Sequence, residues 1–140
     1  MRYTIITTHA RLADGFASAA GLFGIDTSNT TVISAYVDDV TDEVFKKKVD
    51  DFFTEHANDE IVAFTDISFG SVNQYLSLYM HKHPNFHLIT GTNLAVMMEI
   101  MTRPLDVPIS KEEMAAIVSN ARSTLMYMNN MVSSVSEDDE

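Results

Sequence analysis

The chain has 140 residues, a formal net charge of −11 and no cysteine. That length can enclose one domain with a sizeable core, and 46% apolar against 21% charged residues is a globular rather than a disordered balance. The negative charge argues against sequence-independent nucleic-acid binding, which needs a basic surface, and the missing thiols exclude disulfides, thiolate zinc sites and cysteine nucleophiles.

Tyr3–Thr8 is a β-branched, apolar run of strand length that ends on His9. From Leu12, apolar residues recur at helical spacing through Phe16, Ala19, Ala20 and Phe23, and Gly24 closes that helix. Thr31–Val37 (TVISAYV) predicts a second strand. Thr41 reads as an N-cap with Asp42 and Glu43 in the first turn, where the helix dipole favours anions. Val44, Phe45, Val49, Phe52 and Phe53 give this second helix its apolar face.

Glu60–Thr65 is a third strand that delivers Asp66 at its end. Ser71 is placed to cap a third helix that buries Val72, Tyr75, Leu76, Tyr79 and Met80. Phe86–Thr90 is a fourth strand ending at Gly91, and Asn93 begins a methionine-rich helix. Pro104 and Pro108 bound a loop. Ser110-Lys111-Glu112-Glu113 is a capping box opening a last helix, whose stripe runs through Met114, Ile117, Val118, Ala121, Leu125 and Met128. The terminal Ser136-Glu137-Asp138-Asp139-Glu140 reads as a solvated acidic tail, leaving residues 1–135 as the domain and 136–140 as the tail. No early run fits a signal peptide and no later run fits a membrane span, so a cytoplasmic location is expected.

Strands alternating with helices predict an α/β fold: one three-layer sandwich around a mostly parallel sheet of four strands. Such sheets bind ligands outside the carboxyl ends of their strands. His9, Asp66 and Gly91-Thr92-Asn93 all fall at that edge. A carboxylate accepting from one imidazole N–H leaves the other ring nitrogen free to attack phosphorus and stabilises the charge that develops. Gly70-Ser71 adds a close backbone approach, a hydroxyl donor and a helix start, features suited to holding phosphate.

Thr8-His9, the stretch Asp66-Ile67-Ser68-Phe69-Gly70-Ser71-Val72-Asn73 and Ile89-Thr90-Gly91-Thr92-Asn93-Leu94 are the residues on which the chain resembles a known family over nearly its whole length. It is similar to the EIIA domains of the mannose/fructose/sorbose family of the bacterial sugar phosphotransferase system. The resemblance implies that His9 accepts a phosphoryl group from the histidine phosphocarrier protein and passes it to a IIB component, which phosphorylates sugar entering through a membrane permease. Carried over, His9 is the phosphorylated residue, Asp66 its orienter, and Gly70, Ser71, Gly91 and Asn93 line the phosphoryl site. The resemblance also implies that the sheet is flavodoxin-like, a homodimer, no cofactor, contact with the membrane only through the permease complex, and one antiparallel edge strand that could occupy Met131–Val135. Ala10 and Phe69 stand where glycines are usual, and Val72 and Ala95 where prolines are common. These departures bear on loop shape and on the choice of IIB partner.

Other readings stand beside this one. His81, His83 and His87 could suggest a metal, but a helix C-terminus favours cationic side chains and neighbouring strand residues need not converge, so no metal site is expected. His56 is read in the same way, as a helix-end residue. The methionines after Asn93 lie at core spacing. Lys46-Lys47-Lys48 reads as a solvated helix face. A receiver domain would need an acidic cluster where this chain has Thr8-His9. Within the fold, the phosphotransfer subunit of dihydroxyacetone kinase is the alternative, and a non-catalytic regulatory module is the alternative from a different class.

Overall fold

Strands β1 (Arg2–His9), β2 (Thr30–Ala35), β3 (Glu60–Phe64) and β4 (Phe86–Ile89) pair in parallel, in the order β2-β1-β3-β4. The architecture is that of a computed structural model, which describes residues 1–131. Helices α1 (Leu12–Leu22), α2 (Asp42–Glu55) and α3 (Ser71–Ser77) occupy the connections, a 3₁₀ turn (Leu78–Met80) extends α3, and α4 (Leu94–Met101) and α5 (Lys111–Arg122) follow β4.

Side chains alternate across the strands and sort the core into two layers. Ile6, Val62 and Phe64 face α1, α4 and α5, meeting Ala13, Ala20, Met97, Ile100, Met114 and Ile117. Ile5, Ile61 and Ala63 face the opposite way, onto Phe45, Val49, Phe53, Val72 and Leu76 of α2 and α3. The near-continuous apolar strands follow from this burial on both faces. Because the chain runs from β1 out to β2 and then back across to β3, the strand order reverses between β1 and β3. The two crossovers lie on opposite faces, which opens a crevice at the carboxyl ends of those two strands.

The far end of the sheet is clasped by a buried ion pair. Arg2, 1% exposed, donates from Nε to Glu60 Oε1 at 2.8 Å and from Nη2 to the Val107 carbonyl at 2.6 Å. Glu60 Oε2 accepts from the Ile109 amide at 2.8 Å. The proline-bounded loop is thereby tied to the strand starts, and α5 is set against α4.

Several local expectations need correction. β2 ends at Ala35 rather than Val37, because Tyr36 takes a left-handed backbone conformation (φ 69°) that strand pairing cannot accommodate. Gly70, not Ser71, is the N-cap of α3; Ser71 is the first helical residue. Asn93 is the cap of α4 rather than its first turn. Met80, assigned to a buried face, is 55% exposed. The apolar stripe of the last helix stops with α5 at Arg122: the Ser123 and Thr124 hydroxyls donate back to the Asn120 and Ala121 carbonyls, both at 2.6 Å, and Leu125 and Met128 lie exposed beyond. Met131 ends a 3₁₀ turn, and the remainder of the expected edge strand and the acidic tail lie outside the described residues.

Candidate functional site

His9 is the last residue of β1, in register with Ala35 of β2. Thr8 before it is fully buried, and its Oγ1 accepts from the Ala13 amide at 2.7 Å, giving α1 a side-chain cap from the strand itself. Ala10 after it adopts φ 52°, the left-handed region that glycine enters more easily. This turns the chain sharply from strand to helix and leaves the His9 imidazole at the rim, 34% exposed.

Asp66 lies two residues beyond β3, across the crevice from His9. Its Oδ2 accepts from His9 Nδ1 at 2.9 Å and from the His9 backbone N–H at 3.0 Å. Burial works to raise the Asp66 carboxyl, but the His9 backbone and ring hydrogen bonds outweigh it and hold the group below the usual aspartate range. With Nδ1 committed as the donor to this carboxylate, Nε2 is the lone-pair nitrogen; among the described residues it has no hydrogen-bond partner.

Gly70 is required by proximity rather than by dihedral angle, since its φ of −89° is open to any residue. A Cβ there would stand 2.5 Å from His9 Cε1 and 3.2 Å from Nε2. The loop that brings it so close is braced by Asn73, which accepts from Thr65 Oγ1 at 2.8 Å and donates to the Ser68 carbonyl at 3.3 Å. Ser71 is exposed, and its Oγ lies 2.7 Å from the Tyr36 hydroxyl. The Tyr36 ring in turn sits against His9, with centroids 5.7 Å apart. Arg11 and Asp38 close the rim with an exposed ion pair at 2.6 Å between the turns that follow β1 and β2.

The structure therefore brings His9, Asp66 and Gly70 into contact and links Ser71 to them through Tyr36. Gly91 (φ 65°) and Asn93 follow β4, two strand spacings from β1, or about 10 Å across the sheet. The Asn93 amide is engaged at both ends: Oδ1 caps α4 through the Val96 N–H at 2.9 Å, and Nδ2 donates to the Ala121 carbonyl at 3.1 Å. The Thr92 amide, bonded to the Thr65 carbonyl at 3.2 Å, ties this loop to the end of β3. Sequence reasoning missed Tyr36, which it placed inside a strand; the two aspartates at 38 and 39 were the available sign that the strand had already turned.

His83 Nε2 donates to the Asp59 carbonyl (2.8 Å) and His87 Nε2 to the Ile109 carbonyl (3.0 Å). Among the described residues no three His, Asp or Glu side chains are grouped as metal ligands, and no helix is long and apolar enough to cross a membrane. A groove of about 520 Å³ runs between β4 and α5, away from His9.

Several solved structures resemble this one. A protein assigned provisionally as a phosphoenolpyruvate-dependent sugar phosphotransferase system (PTS) permease from Klebsiella pneumoniae is 25% identical, with a TM-score of 0.80 over 94% of this chain and 93% of that one. The mannose/sorbose specific IIA subunit from Enterococcus faecalis is 18% identical, with a TM-score of 0.77 over 90% of this chain and 93% of that one. A sigma-54 interaction domain protein, also from Enterococcus faecalis, is 22% identical, with a TM-score of 0.63 over 88% of this chain and 92% of that one. The latter two likenesses speak to the fold. Among curated proteins none matches the chain. The family model for the PTS system fructose IIA component matches residues 3–121, a span that holds both strands of the crevice, the Gly70 loop and α5 almost to its end. The chain belongs to that family, EIIA-man.

Proposed function

We propose that the chain is a phosphoryl carrier that takes a phosphoryl group onto His9 Nε2 from the histidine phosphocarrier protein and hands it to a IIB component. The observation that carries this reading is the His9–Asp66 pair: one ring nitrogen donates to a carboxylate, and the other is unpaired among the described residues, beside Gly70, on a side chain 34% exposed. An open rim suits a donor and an acceptor that are themselves proteins. A small-molecule substrate would favour an enclosed pocket.

The transfer balances without an added base. The Nε2 lone pair forms the new N–P bond as the N–P bond of the donor histidine breaks, and that electron pair returns to the donor ring. His9 keeps its Nδ1 proton and becomes a phosphoimidazolium, whose positive ring is stabilised by Asp66. Transfer onward reverses these roles on the acceptor. Gly70 leaves room at Nε2, and the Ser71 hydroxyl offers a donor to the phosphoryl oxygens. Gly91 and Asn93, in the loop at the end of β4, complete the phosphoryl site in this reading.

The same reading places the carrier in the cytoplasm as a homodimer, meeting the membrane only through a permease. A second copy has a surface to cover: the outer edge of β4 is unpaired among the described residues and borders the groove lined by Met80, Phe86, Leu88, Met114 and Val118.

Incubation with phosphoenolpyruvate, Enzyme I and the histidine phosphocarrier protein, followed by intact mass and site mapping, tests the assignment. An acid-labile phosphoryl group on His9, lost in a folded His9→Ala variant, is the expected result. Full uptake by that variant overturns the site. The likeness to a sigma-54 interaction domain protein motivates a second reading, a regulatory module of the same fold. Label that appears on His9 but is not passed to any IIB component would favour it. Label appearing only with the dihydroxyacetone kinase donor components would favour the kinase-subunit reading.

A further inference from the structure

Tyr36 combines three features that no packing role requires together. It is a bulky, non-glycine residue held at φ 69°. Its ring lies between two others, 5.7 Å from His9 and 6.4 Å from Phe45 by centroids. Its hydroxyl, on the exposed side, reaches Ser71 Oγ at 2.7 Å and Asp42 Oδ1 at 3.2 Å. Asp42 is fixed in turn by Lys46 at 3.0 Å, one helical turn along α2.

Counting protons gives these contacts a direction. Tyr36 and Ser71 each carry one hydroxyl proton, and an ionised Asp42 carries none. At rest, both contacts are hydrogen bonds at once only if Ser71 donates to Tyr36 and Tyr36 donates to Asp42. A phosphoryl group on His9 Nε2 would draw the Ser71 proton toward its own oxygens. The Tyr36 proton can then turn from Asp42 to Ser71 Oγ, at the shorter of its two distances, and polarise the serine as a donor. The exchange reorients hydroxyl protons, and Asp42 retains Lys46.

We propose that Tyr36 is a positioning residue that sets the Ser71 hydroxyl toward a phosphoryl group on His9, by exchanging its own proton between Asp42 and Ser71. The inference rests on the reading of His9 as the phosphorylated residue. Its test is a double-mutant cycle on Tyr36→Phe and Ser71→Ala, with phosphorylated histidine phosphocarrier protein as donor. Tyr36→Phe keeps the ring against His9 and removes the hydroxyl alone. Its transfer rate at saturating donor is expected to fall about tenfold, with the KM for donor unchanged, because only a transition-state contact is weakened. The double variant is expected to be no slower than Ser71→Ala alone, which marks action through Ser71; a merely structural tyrosine would add its own loss. Additive losses, or a Tyr36→Phe protein as fast as the parent, would overturn the inference while leaving His9 assigned. A parent protein that takes no label at His9 would overturn both.

Discussion

A single oxygen of Asp66 accepts two hydrogen bonds from one residue, the backbone N–H of His9 at 3.0 Å and its Nδ1 at 2.9 Å. The carboxylate thus fixes where β1 ends and which imidazole nitrogen is free. The other oxygen, Oδ1, is buried without a partner among the described residues.

Asp66→Asn tests both roles. The amide oxygen can still accept from His9, but its NH₂ then takes the buried position with nothing to donate to, costing about 1–2 kcal/mol in denaturant unfolding. Phosphate uptake is expected to drop on the order of 100-fold or more, since a neutral amide does not stabilise the phosphoimidazolium. The Asp66 carboxyl titrates below its unfolded value of about 3.9, so its contribution is whole above about pH 4. It is lost as pH falls through the lower folded value. The stability gap between parent and variant should therefore be flat above about pH 4 and close below it.

Gly70→Ala is a steric probe. The backbone there accepts alanine freely, so any effect comes from the Cβ that would stand 2.5 Å from His9 Cε1. Either the ring or the loop must yield. Uptake is expected to be nearly abolished, with a stability loss of about 1–3 kcal/mol, the usual cost of overpacking. Unchanged uptake would show that the ring and loop are not held together as the structure has them.

Glu60→Ala should be costly although it lies at the opposite end of the sheet from His9. It strands the Arg2 guanidinium, 1% exposed, and frees the Ile109 amide that fastens the loop before α5. A loss of about 3–5 kcal/mol is expected for breaking one half of a buried pair. Thermal unfolding of the variant reads it directly, and Glu60→Gln should recover part of the loss.

Tyr75 and Tyr79 both donate to Asp50 Oδ1 across the gap between α2 and α3. Burial first, then the Asp50 carboxylate, pushes the Tyr75 hydroxyl up to about 12 and Tyr79 further in the same direction. Groups raised in the fold stabilise it fully below their unfolded value of about 10 and stop doing so as pH rises through the folded one. Stability should decline from about pH 10 upward, tracked by tyrosinate absorbance. Asp50→Asn should return both hydroxyls only partway, because burial is the larger cause.

The architecture was readable because each strand is a short apolar run between polar turns and each helix keeps its period; strand ends moved by only a residue or two. The crevice was readable because alternation dictates parallel connections, and parallel connections place strand ends together. What escaped depended on backbone geometry. Nothing in TVISAYV marks Tyr36 as left-handed, since tyrosine has no preference for that region, and so the residue joining His9 to Ser71 stayed hidden. The resemblance put Asn93 in the proposed phosphoryl site, and no local motif announced that its amide also braces α4 and α5. The last helix was drawn too long because periodicity continues past Arg122, where the hydroxyls of Ser123 and Thr124 turn the chain away.

Among the described residues, four non-glycine residues have left-handed backbones, Ala10, Tyr36, Asp38 and Asp39, and all lie in the turns after β1 and β2, at the His9 end of the sheet. Each holds on the order of 1 kcal/mol of conformational strain, somewhat less for the aspartates. The buried clasp of Arg2 and Glu60 stiffens the other end. The molecule thus has a firm base and a taut rim, and warming should loosen the rim first. If His9 carries phosphate as proposed, a gently heated sample is expected to keep its circular-dichroism spectrum after uptake has stopped, so that spectral intactness would overstate how much competent protein remains.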